Sequence, residues 1–344
     1  MRRNIVLDIA KGLAIILVMY AHSCGMPFGT TQYIISFYMP LFFLISGYLW
    51  HHNESGFNAY LRTKCRKIAV PYFCMSIFLF CFFWLRHMID GQELKSIIGV
   101  IYGSYALYFR RRTGNIYFFN IDNAPMWFLT TYFSASLMLY VYRQIMSRYK
   151  IKEWIGMTAL LGIAYLATFL PIYLPWGMDI AFLSCFFMEI GRIVRNRNIK
   201  LKWQYFILLP VFLMLVRINP NPNMGTREYG DFPVANILIF VCTSLIGSAI
   251  FLLISRGLSK HFVGRVLALV GAESMWLLMT HLFLFRLFDF YTRDSFTLIK
   301  THDMEWGTIR IMFVTCLVTM LRTLAHTLRR TGFGLYKKIP HLFD

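Results

Sequence analysis

The sequence predicts an all-α membrane protein, a polytopic bundle of about ten transmembrane helices with both termini in the cytoplasm. The composition supports this fold class, because 58% of the 344 residues are hydrophobic and only 15% are charged. An ordinary soluble domain is far less apolar. In addition, the apolar runs are long enough to cross a bilayer and are separated by short charged loops.

The predicted spans follow one another along the chain. They cover residues 9–26, 33–50, 68–86, 124–142, 154–175, 178–194, 203–217, 233–254, 266–288 and 307–326. The segment 94–109 is apolar but is broken by Gly99 and Gly103, so we expect it to be interfacial or re-entrant. Because no repeat or low-complexity segment separates the spans, residues 1–344 are predicted to form a single membrane domain with no appended soluble domain.

The first apolar run follows a basic start, as a cleaved signal peptide would. It contains Lys11 and His22, however, and it lacks a small-x-small cleavage pattern near its end. We therefore expect it to be a retained first helix.

Basic residues cluster in alternate loops, and this pattern predicts the orientation of the chain. Lys and Arg are concentrated in four loops and in the C-terminal tail, namely 51–67, 143–153, 192–202, 255–265 and the residues after 326. The net charge of +19 thus reflects cytoplasmic loops, and no nucleic-acid partner is predicted. Arg110, Arg111 and Arg112 violate this positive-inside rule, because they fall in the predicted outer loop 87–123. Long loops follow the rule less strictly, so the predicted orientation is kept.

The seven cysteines show no CxxC pair and no His/Cys spacing typical of a metal site. Most of them fall within apolar helices, where a free cysteine packs as a small hydrophobic residue. We expect neither a disulfide framework nor a bound metal.

The first helix carries three ionisable residues, Asp8, Lys11 and His22. Lys11 and His22 are eleven residues apart, which is close to three helical turns, so they share one face about 16 Å apart along the axis. Without a functional role, Lys11 would extend its ammonium to the membrane surface, and His22 would be hydrogen-bonded within the bundle. The shared face favours a lined cavity, because ionisable residues inside a membrane usually mark a functional path.

Other polar residues sort by predicted depth. Ser274 and His281 lie seven residues apart on one face of the ninth span, with His281 in the outer half. Trp127 and Asp179 stand at the predicted outer ends of their spans. Without a functional role, Trp127 would be one of the tryptophans common at the membrane interface, and Asp179 would be a favourable negative charge at a helix N-terminus.

Cations collect at the predicted inner mouth. They are Lys11, Lys64, Arg66 and Lys67, of which the last three precede the third span. The alternative to ligand binding is that these basic residues only fix the orientation of the chain in the membrane. A cationic inner mouth suits a phosphate-bearing cytoplasmic ligand, and a histidine suits general-base or nucleophilic chemistry.

Six motifs occur in order between residue 2 and residue 283. They are RRNIVLDIAKGLAIILVMYAH, SFYMPLFFLISGYL, KCRKIAVPY, PMWFL, MDIAFLSCFFMEIGRIV and LVGAESMWLLMTHLF. This ordered set resembles the bacterial integral-membrane acyltransferases of acyltransferase family 3, in particular the sugar and fucose O-acetylase branch. Lys11, Lys64 and Lys67 stand where most members have arginine, and lysine lacks the planar bidentate contacts of arginine. Glu273 in GAES also departs from the family pattern, and no role is assigned to it.

The resemblance implies a multi-pass O-acetyltransferase of the bacterial inner membrane. Acetyl-CoA, or another acyl-CoA, would dock its phosphates at Lys11, Lys64, Arg66 and Lys67, with no metal. His22 would deprotonate the acceptor hydroxyl or carry the acyl group. The remaining candidates would stabilise the reacting centre or bind the acceptor, a surface glycan or its lipid-linked precursor; they are His281, Asp179, Trp127, Ser274 and Asp8.

Three other functions remain open from the sequence. A transporter or flippase for a lipid-linked sugar or a small anion would also use a polar stripe with cations, but no paired interrupted helices occur in two halves of the chain. A polysaccharide polymerase could grip a glycan with loop 87–123. Within the family, an amino acid could replace the sugar as acceptor.

Overall fold

The computed structural model describes most of the chain. It describes residues 4–23, 30–51, 56–103, 106–110, 114–117, 124–170, 172–219, 222–225, 227, 229, 233–293 and 304–330. Cys24, Arg111, Arg112 and the tail after residue 330 lie outside the described residues, as does the side chain of Arg110.

The described residues form fourteen helices and one short hairpin, which confirms the helical fold class. The helices are α1 Ile5–Ser23, α2 Thr30–Ile35, α3 Tyr38–Tyr48, α4 Phe57–Lys64, α5 Val70–Leu85, α6 Glu93–Tyr102, α7 Trp127–Arg148, α8 Glu153–Ala167, α9 Met178–Asn196, α10 Leu209–Ile218, α11 Pro233–Leu258, α12 Phe262–Ala272, α13 Ser274–Arg293 and α14 Met304–Arg330. Shorter 3-10 turns, Ala124–Met126, Pro175–Gly177 and Trp203–Leu208, lead into α7, α9 and α10.

The hairpin pairs β1 (Ala106–Arg110) with β2 (Gly114–Tyr117) in antiparallel register. It lies in the predicted outer loop 87–123, and the all-α prediction did not include it. The segment predicted to be interfacial or re-entrant, 94–109, contains most of α6 and of β1.

Among the described residues, four helices are long and apolar enough to cross a membrane by length and composition. They are Ile5–Ser23, Phe57–Leu85, Asn236–Leu258 and Met304–Leu328. The second runs from α4 through a π-helical turn, Cys65–Ala69, into α5. A fifth span results if α12 and α13 count as one, although they are bent by 78° at Glu273. The protein is therefore a membrane protein, while the total of ten spans and the side on which the termini lie stay predictions.

The chain divides into two compact units. The first unit contains Met1–Phe42, Lys200–Pro222 and Leu238–Pro340, and the second contains Phe43–Ile199, Asn223–Ile237 and His341–Asp344. Each unit is thus built from segments that are distant in sequence. The single domain expected from the sequence stays a prediction.

In the first unit, α1 packs directly on α12. Gly12 faces the backbone of Leu267, and Gly271 faces the backbone of Asp8, so closely that a Cβ on either glycine would collide with a carbonyl oxygen. Ile9 is fully buried beside them. Two glycines therefore set the distance between these helices, as small residues do where membrane helices approach closely.

We expect Gly271→Ala to lower the free energy of unfolding by about 1–3 kcal/mol, because the added methyl group forces α1 and α12 apart. Gly162→Ala is the matched control, since nothing lies within 4 Å of its Cβ position on α8. Alanine there replaces a poor helix former and should leave stability unchanged or slightly raised. Thermal unfolding in detergent measures both, and equal midpoints for the two variants would contradict the tight contact.

In the second unit, α7 and α8 both contact α9. Gly191 of α9 lies against the backbone of Leu44, and Gly47 lies against that of Met188, so α9 also packs tightly on residues 43–48. The indole of Trp176 donates a hydrogen bond to the carbonyl of Ile101 at 3.0 Å. This bond fixes the turn before α9 to the end of α6.

Candidate active site

Two histidines of the first unit lie side by side. His22, one residue before the end of α1, and His281, in the middle of α13, have ring centroids 5.3 Å apart. His281 is fully buried. The sequence placed both in the predicted outer half of the bundle, and the structure brings their rings into contact.

The protonation of His281 follows from its neighbours. Its Nδ1 lies 2.8 Å from the carbonyl oxygen of Leu277 and 3.0 Å from that of Leu278. Because carbonyls only accept hydrogen bonds, Nδ1 carries the proton and Nε2 of the neutral ring holds a lone pair. Nε2 is buried and has no hydrogen-bond partner among the described residues. It can therefore accept a proton or a hydrogen bond from a hydroxyl that enters the site.

The end of α1 is held by a buried arginine. Arg310 of α14 donates from Nη2 to the carbonyl of Ser23 at 2.6 Å and from Nε to its hydroxyl at 3.0 Å. Its Nη1 pairs with Asp289 of α13. The guanidinium also lies over the ring of Phe285, 4.9 Å from its centroid, and Phe285 packs edge-on against His281. One side chain thus ties three helices together beside the histidine pair.

Sequence reasoning missed Arg310, Asp289 and Ser23 as parts of this site. A signal was present, because Arg310 falls inside the predicted span 307–326, and a charge inside a span is itself a functional indicator. Its partners could not be read from the sequence, since they lie 21 and 287 residues away.

The two charges at the start of α1 neutralise each other. The ammonium of Lys11 lies 2.8 Å from the carboxylate of Asp8, which is 6% exposed. Ser274, also a predicted site residue, opens α13 seven residues before His281, about 10 Å along the axis. These three candidates therefore lie apart from the histidine pair.

Glu273, whose role the sequence left open, sits at the bend between α12 and α13. Its carboxylate accepts a hydrogen bond from Nε of Arg322 at 2.9 Å, and the Arg322 guanidinium lies over the ring of Trp276. The residue that departs from the family pattern thus ties the bent pair to α14.

In the second unit, Asp179 is part of a bidentate ion pair. Arg227 donates to its two carboxylate oxygens at 2.7 and 3.1 Å, and the guanidinium lies 3.7 Å from the centroid of the Tyr173 ring. The indole of Trp127 lies close to Gly225, two residues before Arg227. A Cβ atom added to Gly225 would lie only 3.0 Å from the indole ring. The structure therefore brings Asp179 to Arg227 and Trp127 to Gly225, two residues earlier in the chain. Arg227 is the member that sequence reasoning missed.

Lys64 lies among aromatic side chains. Its ammonium is 3.5 Å from the hydroxyl of Tyr132 and lies over the rings of Tyr60 and Tyr132. Tyr132 is five residues from the Trp127 end of α7 and sixteen from the Arg148 end, or about 8 and 24 Å along the axis. Of its two contacts, Tyr132 lies nearer the Trp127 end of α7, whereas Tyr60 stacks on Tyr140 further along the helix. The location of Lys64 at the inner mouth stays a prediction.

The neighbouring cations are in a different environment. Arg66 and Lys67 are on the π-helical turn and are exposed. Their side chains are therefore accessible to an anionic ligand or to lipid headgroups.

A family model described as an acyltransferase domain matches residues 4–327, which is nearly the whole chain. The chain belongs to acyltransferase family 3. No curated protein and no solved structure matches it significantly. Family membership makes this protein a membrane acyltransferase.

The described part of this family 3 acyltransferase holds no group of three His, Cys, Asp or Glu residues that could bind a metal ion. The six cysteines in that part are free thiols. For an acyltransferase of this family, the histidine pair is the arrangement best suited to proton transfer, since one ring presents a buried lone pair next to a second imidazole.

Proposed function

We propose that this protein is an O-acetyltransferase of the bacterial inner membrane, which moves an acetyl group from cytoplasmic acetyl-CoA to a hydroxyl of a surface glycan or its lipid-linked precursor. The family supports the acyl-transfer part of the proposal. The observation that carries it is the contact between His22 and His281.

The proposed chemistry uses His22 as the central group. As the acceptor oxygen forms its bond to the thioester carbonyl carbon, His22 takes the hydroxyl proton. The carbon–sulfur bond then breaks, and the thiolate of CoA takes up that proton. In the second form of the same reaction, the imidazole of His22 first takes the acyl group as the carbon–sulfur bond breaks, and the CoA thiolate leaves with the imidazole proton. The acyl group then passes to the acceptor oxygen, and the hydroxyl proton returns to the imidazole. In the first form, the single hydroxyl proton goes to His22, and His281 packs against the His22 ring. In the second form, Nε2 of His281 accepts a hydrogen bond from the acceptor hydroxyl while His22 carries the acyl group.

The other candidates divide between donor and acceptor. Arg66 and Lys67 suit the donor phosphates best, because their side chains are exposed. Lys11 and Lys64 already have protein partners, Asp8 and the two tyrosines, so a phosphate would have to share or displace them. Asp179 and Trp127 would serve the acceptor, with Asp179 acting through its ion pair rather than as a free base.

The test is a transfer assay with the full chain in nanodiscs. Labelled acetyl-CoA and extracted surface glycans are supplied, and label in the glycan is compared with the free CoA thiol released. Equal amounts of labelled glycan and free thiol support the proposal. The transporter alternative instead predicts movement of a lipid-linked sugar in vesicles with no covalent product. Thiol release without labelled glycan would reject the glycan as acceptor.

A further inference from the structure

A cavity lined by four arginines lies at the Arg148 end of α7 in the second unit. Its volume is about 810 Å³, and its lining includes Arg143 and Arg148 of α7 with Arg192 and Arg195 of α9. We call it the arginine cavity. None of the described residues that line it is acidic. A cavity of this size is typical of small-molecule sites.

A buried carboxylate orients two of the arginines. Glu189 is fully buried and accepts hydrogen bonds from Arg143 at 3.1 Å and from Arg192 at 2.7 and 2.8 Å. Arg192 is itself 5% exposed. Because a guanidinium has five N–H donors, each of these side chains keeps donors beyond those that Glu189 accepts. The ion pairs thus fix the two arginines in place without using up their capacity to bind an anion.

The remaining charges leave the cavity positive. Glu153 is shared between Arg192 at 2.8 Å and Arg197 at 2.6 Å. Partial burial alone would raise the pKa of Glu153, but the hydrogen bonds from these two arginines outweigh it and lower the pKa. Arg195 contacts the neutral side chain of Asn196 and the ring of His51. The four lining arginines therefore outnumber the two carboxylates that face them.

The cavity also offers aromatic and neutral polar groups. Trp50 and Tyr149 lie in its wall, together with Gln144, Ser147 and Asn196. Arginines on two different helices can hold separate phosphate groups through their planar donor forks, and an aromatic side chain can stack on a base. Loops 143–153 and 192–202, which flank the cavity, are those predicted to be cytoplasmic, where nucleotides occur.

We propose that the arginine cavity binds a nucleoside that carries two or more phosphate groups. Two sources share this chemistry. One is the nucleotide end of the acyl-CoA donor, in which case the inference rests on the proposed function and the arginine cavity takes the place of Arg66 and Lys67 as the site of the donor phosphates. The other is a free nucleotide that binds independently of the reaction.

The test compares nucleotide binding by two charge-matched double variants of the full chain in detergent. Arg148→Gln/Arg195→Gln removes two lining charges that lie outside the Glu189 ion pairs. Lys152→Gln/Lys200→Gln removes two exposed charges that do not line the cavity. CoA and ADP are titrated separately by calorimetry, and thermal unfolding establishes that each variant is folded.

We expect the arginine variant to bind nucleotide at least about tenfold more weakly than wild type, because charge-assisted hydrogen bonds are lost. The lysine variant should bind like wild type. If CoA binds and ADP does not, and the KM for acyl-CoA rises in the arginine variant while kcat is kept, the donor is the ligand. If ADP binds as well as CoA and the KM is unchanged, the ligand is a free nucleotide.

The inference is overturned if wild type binds neither compound, or if the arginine variant binds both with wild-type affinity. Its failure is separable from that of the proposed function. Acyl transfer by wild type with unchanged CoA affinity in the arginine variant refutes the cavity alone. Arginine-dependent nucleotide binding without transfer to any acceptor refutes the proposed function alone.

Discussion

His22→Ala protein that is folded and purified is expected to lose acyl transfer by about 10²–10⁴-fold, the range typical of a lost general base. If His22 carries the acyl group, the loss should reach or exceed the upper end of this range, because no other path forms the covalent intermediate. Binding of acetyl-CoA should persist, since the substitution removes no cation. The measurement is the rate of labelled acetyl transfer to glycan at saturating donor.

His261→Ala is the matched control, because His261 belongs to the same unit and is exposed outside the histidine pair. It should keep the wild-type rate. His281→Ala should lose less activity than His22→Ala if His281 only orients the hydroxyl. Full activity of the His22→Ala protein would remove His22 from the mechanism, and equal losses in both variants would point to a shared proton.

Arg310→Met is expected to lower the free energy of unfolding by about 3–5 kcal/mol, the cost of breaking a buried ion pair by removing one partner. Arg310 is fully buried, and Asp289 is 1% exposed. The substitution removes the guanidinium from the buried carboxylate of Asp289 and removes two donors from Ser23 at the end of α1. The measurement is thermal unfolding in detergent together with transfer activity.

Two further variants test the cause of this loss. Arg310→Met/Asp289→Leu should recover part of the stability, because both charges leave together. Arg322→Met removes another arginine of α14 from its ion pair with Glu273, where both side chains are 15–18% exposed. It should cost less, since water screens that pair. Equal losses for Arg310→Met and Arg322→Met would mean that burial of the ion pair is not what matters.

The sequence predicted the helical class, because composition determines it, while the outer-half location of both histidines stays a prediction. It could not predict that the two rings touch, since this depends on the rotation of α13 against α1. Nor could it predict the bend at Glu273, which falls within the apolar run 266–288 without a proline to mark it.

The surroundings of the basic residues before the third span also could not be predicted from the sequence. The sequence places Lys64 and Lys67, together with Arg66, at one predicted cationic inner mouth, because all three precede the third span. The π-helical turn Cys65–Ala69 widens the helix between them. Lys64 consequently turns toward Tyr132, while Lys67 is exposed. A local change in helix type is not encoded in a periodic pattern.

The glycine contacts between α1 and α12 also bear on how the enzyme can move. At Gly12 and Gly271 the backbones of α1 and α12 touch, so at these two positions no side chain separates the helices. We therefore expect the helix that carries His22 to move together with α12. The bend at Glu273 is then the place where α13 can turn to widen the histidine site during turnover.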